Sequence, residues 1–194
     1  MRVRLGHTLT GYAAVFGTET QIRSSWEGQF VERIAKGAFK KTLREHPHIQ
    51  MQYDHGRDTR VGSVPIGVYE EIREDEHGLF VRGRIFDNDL AEPIRQAIEA
   101  GAIRGMSIKF AVVTDEWRDG TGRLLRPHEV DRLRFDPGSR GPLRRTVKEI
   151  RLHEAGPVST PAYETTSVGV RDIDRRNTIP ADVRIRLLKL KGQH

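Results

Sequence analysis

Short runs in which apolar and polar residues alternate recur along this chain, and they constrain it to a β-rich fold. Residues 48–55 place Ile49, Met51 and Tyr53 on one face, and residues 61–72 form a second β-rich run. Asp75-Glu76-His77-Gly78 is a turn signal, followed by a strand over 79–86. Residues 3–16 suggest an opening strand or hairpin, 30–34 a short strand, and 106–113 a longer one. A late strand runs from Thr146 through Val147, Ile150 and Leu152. Only one helix is well marked. Asp87, Asn88 and Asp89 offer N-caps, Leu90, Ile94, Ala97 and Ile98 recur at helical spacing, and Gly101 stands where a C′ glycine belongs. Phe39 and Leu43 fit one or two helical turns, and 180–190 could form a short helix opened by Pro180. Strands therefore outnumber helices without alternating with them. The expectation is a mainly β, α+β fold, a barrel or sandwich flanked by a few helices.

The length, 194 residues, suits one domain with a tail. Between residues 115 and 145, eight arginines and six acids stand among glycines and prolines with few apolar residues. This composition predicts a long, mobile surface excursion. The expected organisation is one domain over 1–171, carrying that excursion, and a charged tail over 172–194. With no cysteine, disulfides, Cys-type zinc sites and a cysteine nucleophile are excluded. No apolar run reaches the roughly 18 residues of a membrane span. The first residues lack the apolar core of a secretory signal, so a soluble intracellular protein is expected. The net charge of +6 raises the question of nucleic acid. The basic residues are spread along the chain, however, and aromatic platforms do not interleave with them, so a dedicated nucleic-acid domain is not expected.

The chain has no GxGxxG, no GxxxxGK[ST] and no HExxH, the usual signs of nucleotide binding and zincin chemistry. Gly105-Met106-Ser107-Ile108-Lys109 lacks the second glycine of a nucleophile elbow and lies at a helix-to-strand junction, which argues against an α/β-hydrolase. His46, His48 and His55 cluster loosely, but their spacing matches no usual zinc pattern, so neither a metal nor a cofactor is expected. His55 alone stands at the exit of a strand before a glycine turn, where it is either a surface histidine or a general base. Ser107 is the one serine of seven that opens an apolar strand directly after a helix and a glycine. It is either a hydroxyl satisfied by nearby backbone or a nucleophile. Along 149–154, alternation sets Ile150, Leu152 and Glu154 on one face and Glu149, Arg151 and His153 on the other. A carboxylate continuing an apolar face is either paired or functional.

Six ordered blocks carry a resemblance over residues 8–170. They are Gly11-Tyr12-Ala13-Ala14-Val15-Phe16, the stretch from Phe30 to Phe39, Tyr53-Asp54-His55, Gly78-Leu79-Phe80-Val81-Arg82-Gly83, Gly105-Met106-Ser107-Ile108-Lys109-Phe110 and the stretch from Glu154 to Tyr163. In these the chain resembles the prohead proteases of tailed bacteriophages, serine peptidases of capsid maturation related to the herpesvirus assemblins. The resemblance implies a herpesvirus-protease-like barrel, closed or partly open. It implies His55 as base, Ser107 as nucleophile and Glu154 as the acidic third member. The family often has serine two residues after that glutamate, where this chain has Gly156. The assemblin relatives use a second histidine in place of an acid, which keeps His153 as the alternative.

The implied function is a serine endopeptidase, without cofactor, that cleaves scaffold and capsid-protein segments, and itself, inside the assembling prohead in the host cytoplasm. The implied partners are the phage major capsid protein and its scaffold segment, with room for a homo-oligomer and with neither membrane nor nucleic acid expected. The competing reading is a non-catalytic basic β-module that binds capsid protein or nucleic acid, with His55 and Ser107 structural.

Overall fold

The alternating runs become strands of a single mixed sheet. The computed structural model describes residues 7–161 and 166–171. The elements are β1 (Thr8–Val15), β2 (Thr20–Ser24), β3 (Gly28–Ile34), α1 (Lys40–Glu45), β4 (Gln50–Met51), β5 (Gly67–Glu74), β6 (Gly78–Ile85), α2 (Glu92–Glu99), β7 (Gly105–Arg118), α3 (Pro127–Leu133), β8 (Arg144–Val158) and β9 (Ser167–Arg171). Along the sheet the order is β2-β3-β8-β4-β5-β6-β1-β9, with β7 paired to β8 off that path. The expected mainly β architecture is present, and the ladder does not close on itself. At its seam the ends approach. Val168 N donates to Arg104 O (2.9 Å), just before β7 begins.

The well-marked helix α2 ends as its sequence dictates. Gly101 has φ +72°, its N–H bonds to Ile98 O (3.0 Å), and Ala102 N bonds to Ala97 O (2.8 Å). These two bonds make a Schellman cap, and the left-handed residue it needs is the glycine. Ahead of the helix, Asn88 Oδ1 accepts from the backbone N–H groups of Leu90 and Ala91 (3.1 and 2.9 Å). The tail expected over 172–194, and the helix expected within it, lie outside the described residues.

β8 organises the rest. One of its edges runs antiparallel to β7 over nearly its full length. The other edge is divided, with β3 parallel to Arg144–Val147 and β4 parallel to Glu154–Ala155. In the gap between them the α1 segment satisfies β8's backbone: Ile150 N donates to Ala38 O and Leu152 N to the buried Thr42 hydroxyl, both at 3.0 Å. Ile150, Leu152 and Glu154 are buried while Arg151 and His153 are exposed, as alternation requires. The main core gathers Leu9, Ile34, Phe39, Met51, Leu79 and Ile150 between the sheet and α1 and α2.

The excursion expected at 115–145 is corrected in its local structure. β7 continues to Arg118, α3 and a 3₁₀ turn (Gly138–Arg140) follow, and Leu125, Val130, Leu133 and Leu143 bury themselves with Phe30 of β3 as a second small core. The apolar anchors in this stretch are few, but β3 supplies the missing partner. The acids and arginines also pair with one another. Asp119 Oδ2 accepts from the Arg140 guanidinium (3.1 Å), and Arg145 bridges Asp115 (2.7 Å) and Glu32 (3.1 Å).

Candidate active site

Three stretches of backbone meet near the C-terminal end of β8. The first is the start of β7. A Cβ on Gly105 would lie 2.6 Å from Pro161 Cγ, so glycine lets the chain pass there. Met106 is then held at both backbone groups by one side chain: its N–H donates to Thr166 Oγ1 (3.0 Å), and that hydroxyl donates back to Met106 O (2.7 Å). Ser107 follows and is buried.

The second stretch is β8 itself. Ser107 pairs with Gly156 and Lys109 pairs with Glu154. Ser107 and Glu154 are thus diagonal neighbours on one face of the ladder, a relation that separates them by about 7–8 Å. Gly156 is there for a steric reason. A Cβ at this position would meet Gln52 O at 1.7 Å, because the chain leaving β4 crosses directly over it.

The third stretch is that crossing chain. It enters a turn in which Asp54 (φ 46°), His55 (φ 59°) and Gly56 (φ 74°) are consecutively left-handed. The conformation costs about 1–2 kcal/mol per non-glycine residue, although Asp and His are among the side chains that tolerate it. Gly56 N donates to Tyr53 O (2.9 Å) and Arg57 N to Asp54 O (3.1 Å). From β7 the Lys109 ammonium donates to His55 O (3.1 Å).

The turn aims the His55 ring at β8, where Nδ1 lies 2.8 Å from Glu154 Oε2. The side chains are 13% and 2% exposed, so the bond is largely shielded from water. With the carboxylate ionised and the ring neutral, Nδ1–H is the donor in this bond and Nε2 carries the lone pair. That is the tautomer a general base needs. Glu154 Oε1 is buried with no hydrogen-bond partner among the described residues. Beside it the Tyr69 hydroxyl donates to Ala155 O (2.8 Å). Desolvation, and then the Glu154 charge, push the Tyr69 phenol well above its usual range, so it remains a donor.

Of the residues singled out in the sequence, His55 and Glu154 are joined directly and Ser107 stands one ladder step away. The Ser107 hydroxyl has no hydrogen-bond partner among the described residues, so the serine–histidine bond is not formed in this state. His153 is exposed on the opposite face of β8, and His46 and His48 are exposed in the connection from α1 to β4. Among the described residues no group of three His, Asp or Glu side chains is placed to hold a metal ion. Sequence reasoning missed Lys109, Tyr69 and the need for glycine at 156. For Lys109 a signal existed, since it lies two residues after Ser107 on the same face of an alternating strand.

Comparison with known proteins adds a second line of observation. The prohead protease of enterobacteria phage HK97 is 30% identical over 119 residues, which is 60% of this chain and 48% of that protein. The match spans about half the length of that relative. Two solved structures of Kaposi's sarcoma herpesvirus protease, one with a hexapeptide phosphonate inhibitor and one with an allosteric inhibitor, align over 97% of this chain and 77% and 92% of theirs. Identity to both is 10%, with TM-scores of 0.42 and 0.40. The family model described as caudovirus prohead serine protease matches residues 3–179, nearly the whole sequence, and the chain therefore belongs to that family.

Proposed function

We propose that this chain is a serine endopeptidase in which Ser107 is the nucleophile, His55 the general base and Glu154 the residue that orients and charge-stabilises the imidazole. The observation that carries the reading is the shielded 2.8 Å bond between His55 Nδ1 and Glu154 Oε2, set diagonally across the ladder from a buried serine. On substrate binding, Ser107 Oγ–H bonds to His55 Nε2 and the three groups act in line. Catalytic hydrogen bonds that are open in the free enzyme commonly close in this way.

As Ser107 Oγ attacks the peptide carbonyl carbon, its proton passes to Nε2. The imidazolium so formed is stabilised by the Glu154 carboxylate. Nε2–H then protonates the leaving amine, the C–N bond breaks, and an ester to Ser107 remains. Water, deprotonated at the same nitrogen, hydrolyses that ester and restores the serine. The half-buried left-handed turn holds the ring ready for this before substrate arrives, so little reorganisation is needed during the reaction.

The substrates we propose are the scaffold segment and N-terminal region of a phage capsid protein, cleaved within an assembling prohead, together with the protease itself. Family membership supports this choice. The test is co-expression of the protein with its phage capsid protein, followed by mass spectrometry. Defined cleavages present with the native chain and absent with Ser107→Ala are expected. Identical products from both chains would overturn the reading.

A further inference from the structure

A cavity of about 160 Å³ lies beside the left-handed turn. One wall is the chain that carries His55, entering at Tyr53 and leaving through Asp58 and Val61. The facing wall is one side of α2 with its lip, Leu90, Ile94 and Ala97, and the segment leading to Ser107, at Ile103. The two walls are therefore continuous with the two strands of chain that bear the base and the nucleophile. The floor is buried, with Val61, Ile94 and Ile103 each under 10% exposed, while Leu90 at the lip is 40% exposed.

We propose that this cavity is a specificity subsite that takes one large apolar side chain of the peptide cleaved at Ser107. The inference rests on the protease reading above and names what that site selects. Its size is the first argument. Small-molecule sites run to about 300–1,000 Å³, whereas an apolar cavity of about 150 Å³ accepts a benzene ring. At about 160 Å³ the space suits one leucine-, methionine- or phenylalanine-sized group.

Its chemistry is the second. The lining is mainly aliphatic, its two charged residues, Asp58 and Arg60, are of opposite sign, and Asp58 spends Oδ1 on the N–H groups of Arg60 and Val61 (both 2.9 Å). Those backbone bonds hold its carboxyl below the usual range. An acidic side chain entering here would give up its hydration against an aliphatic floor, while an apolar one leaves water. The third argument is attachment. A side chain that fills the cavity braces Tyr53 against α2, and Tyr53 leads directly into the His55 turn. Occupancy thus supports the turn during the reaction, and the preference is expected in kcat as well as KM.

The experiment takes a peptide cleaved in a Ser107-dependent manner and varies each residue near the scissile bond among Ala, Leu, Phe and Asp. One position is expected at which Leu or Phe is preferred to Ala by about tenfold or more in kcat/KM, in the range that added methylenes contribute in apolar pockets, and at which Asp is rejected. In Ala97→Phe, which fills the cavity, that preference should fall to within about threefold. Leu90→Ala, at the exposed lip, should weaken it without touching the core. Absence of any size preference in the native chain, or a preference that survives both variants in protein melting like the native chain, overturns the subsite alone. Absence of Ser107-dependent cleavage of every peptide overturns the protease reading, and the subsite with it.

Discussion

His55 and Glu154, 99 residues apart in sequence, share a 2.8 Å hydrogen bond across the parallel pairing of β4 with β8. In the protease reading this bond fixes which imidazole nitrogen faces the serine. Glu154→Gln keeps the shape but removes the charge, and the amide can present its NH₂ to Nδ1 and turn the tautomer over. A fall in kcat of about 10²–10⁴ is expected. His153→Gln, on the exposed face, should change kcat by less than about threefold. Steady-state cleavage of one peptide by the two variants compares them directly. A larger loss in the histidine variant would transfer the third role to His153.

Ser107→Ala should lower cleavage by at least about 10⁴. Its effect on folding should be small, since a hydroxyl without a protein partner contributes at most about 1 kcal/mol. Peptide hydrolysis and urea unfolding on the same preparation measure both. Residual cleavage within tenfold of the native rate would exclude Ser107 as nucleophile.

Lys109 ties the strand of the serine to the turn of the histidine through His55 O. Lys109→Met removes a charged donor from an exposed site, and kcat is expected to fall about three- to tenfold, the range of an ordinary net hydrogen bond. KM should stay within about twofold, because the lysine acts on the turn rather than on the peptide. Lys109→Arg should restore most of kcat. An unchanged kcat in Lys109→Met would reduce this contact to a surface feature.

Gly156→Ser introduces the residue common in the family at this position, and here it should be harmful. The new Cβ would stand 1.7 Å from Gln52 O, so either β8 or the crossing chain must shift. A loss of about 1–3 kcal/mol or more in unfolding free energy is expected, as for overpacked cores, and the His55–Glu154 bond should loosen with it. Chemical denaturation together with the His55 NMR resonance would report both effects.

Acid should destabilise the fold in a defined window. Hydrogen bonds from Arg95 and Gln96 hold the Glu92 carboxyl at about 2, and those from the Arg126 N–H and the Arg123 guanidinium hold Glu129 at about 2. Both lie below the unfolded value of 4.5, so the unfolded chain binds more protons between these limits. Their contribution is fully present above about 4.5 and is lost as the pH falls toward 2. Melting temperature measured from pH 6 to 2 should decline across that interval, and Glu129→Gln should flatten the decline.

The buried face of β8, the run of α2 and its glycine cap were legible in the sequence because each depends on local periodicity. So was Glu154, conspicuous as a carboxylate on an apolar face. The late strand expected through Leu152 continues, as β8, through Pro157 to Val158. Beyond Ala155 β8 pairs, among the described residues, with β7 alone, so the missing proline N–H is tolerated there. The strand expected over 48–55 shrinks to Gln50–Met51, because the chain must leave β8 to cross Gly156 and turn left-handed. Nothing local announces that crossing, since the colliding atom belongs to Gln52. The anchors of 115–145 were illegible for the same reason, because Phe30 lies about a hundred residues away in sequence.

The divided edge of β8 also sets an order in time. During synthesis the serine and the histidine leave the ribosome before the strand that joins them, and β8 must enter between β7 on one side and β3 and β4 on the other. Such non-local pairings form late, since each must first close a long loop. Until residues 144–158 have docked, the His55 turn has no carboxylate to face and the crossing chain no strand to cross. A nascent chain thus carries the serine and the histidine without the geometry of the site, and the most demanding step of folding is also the one that completes it.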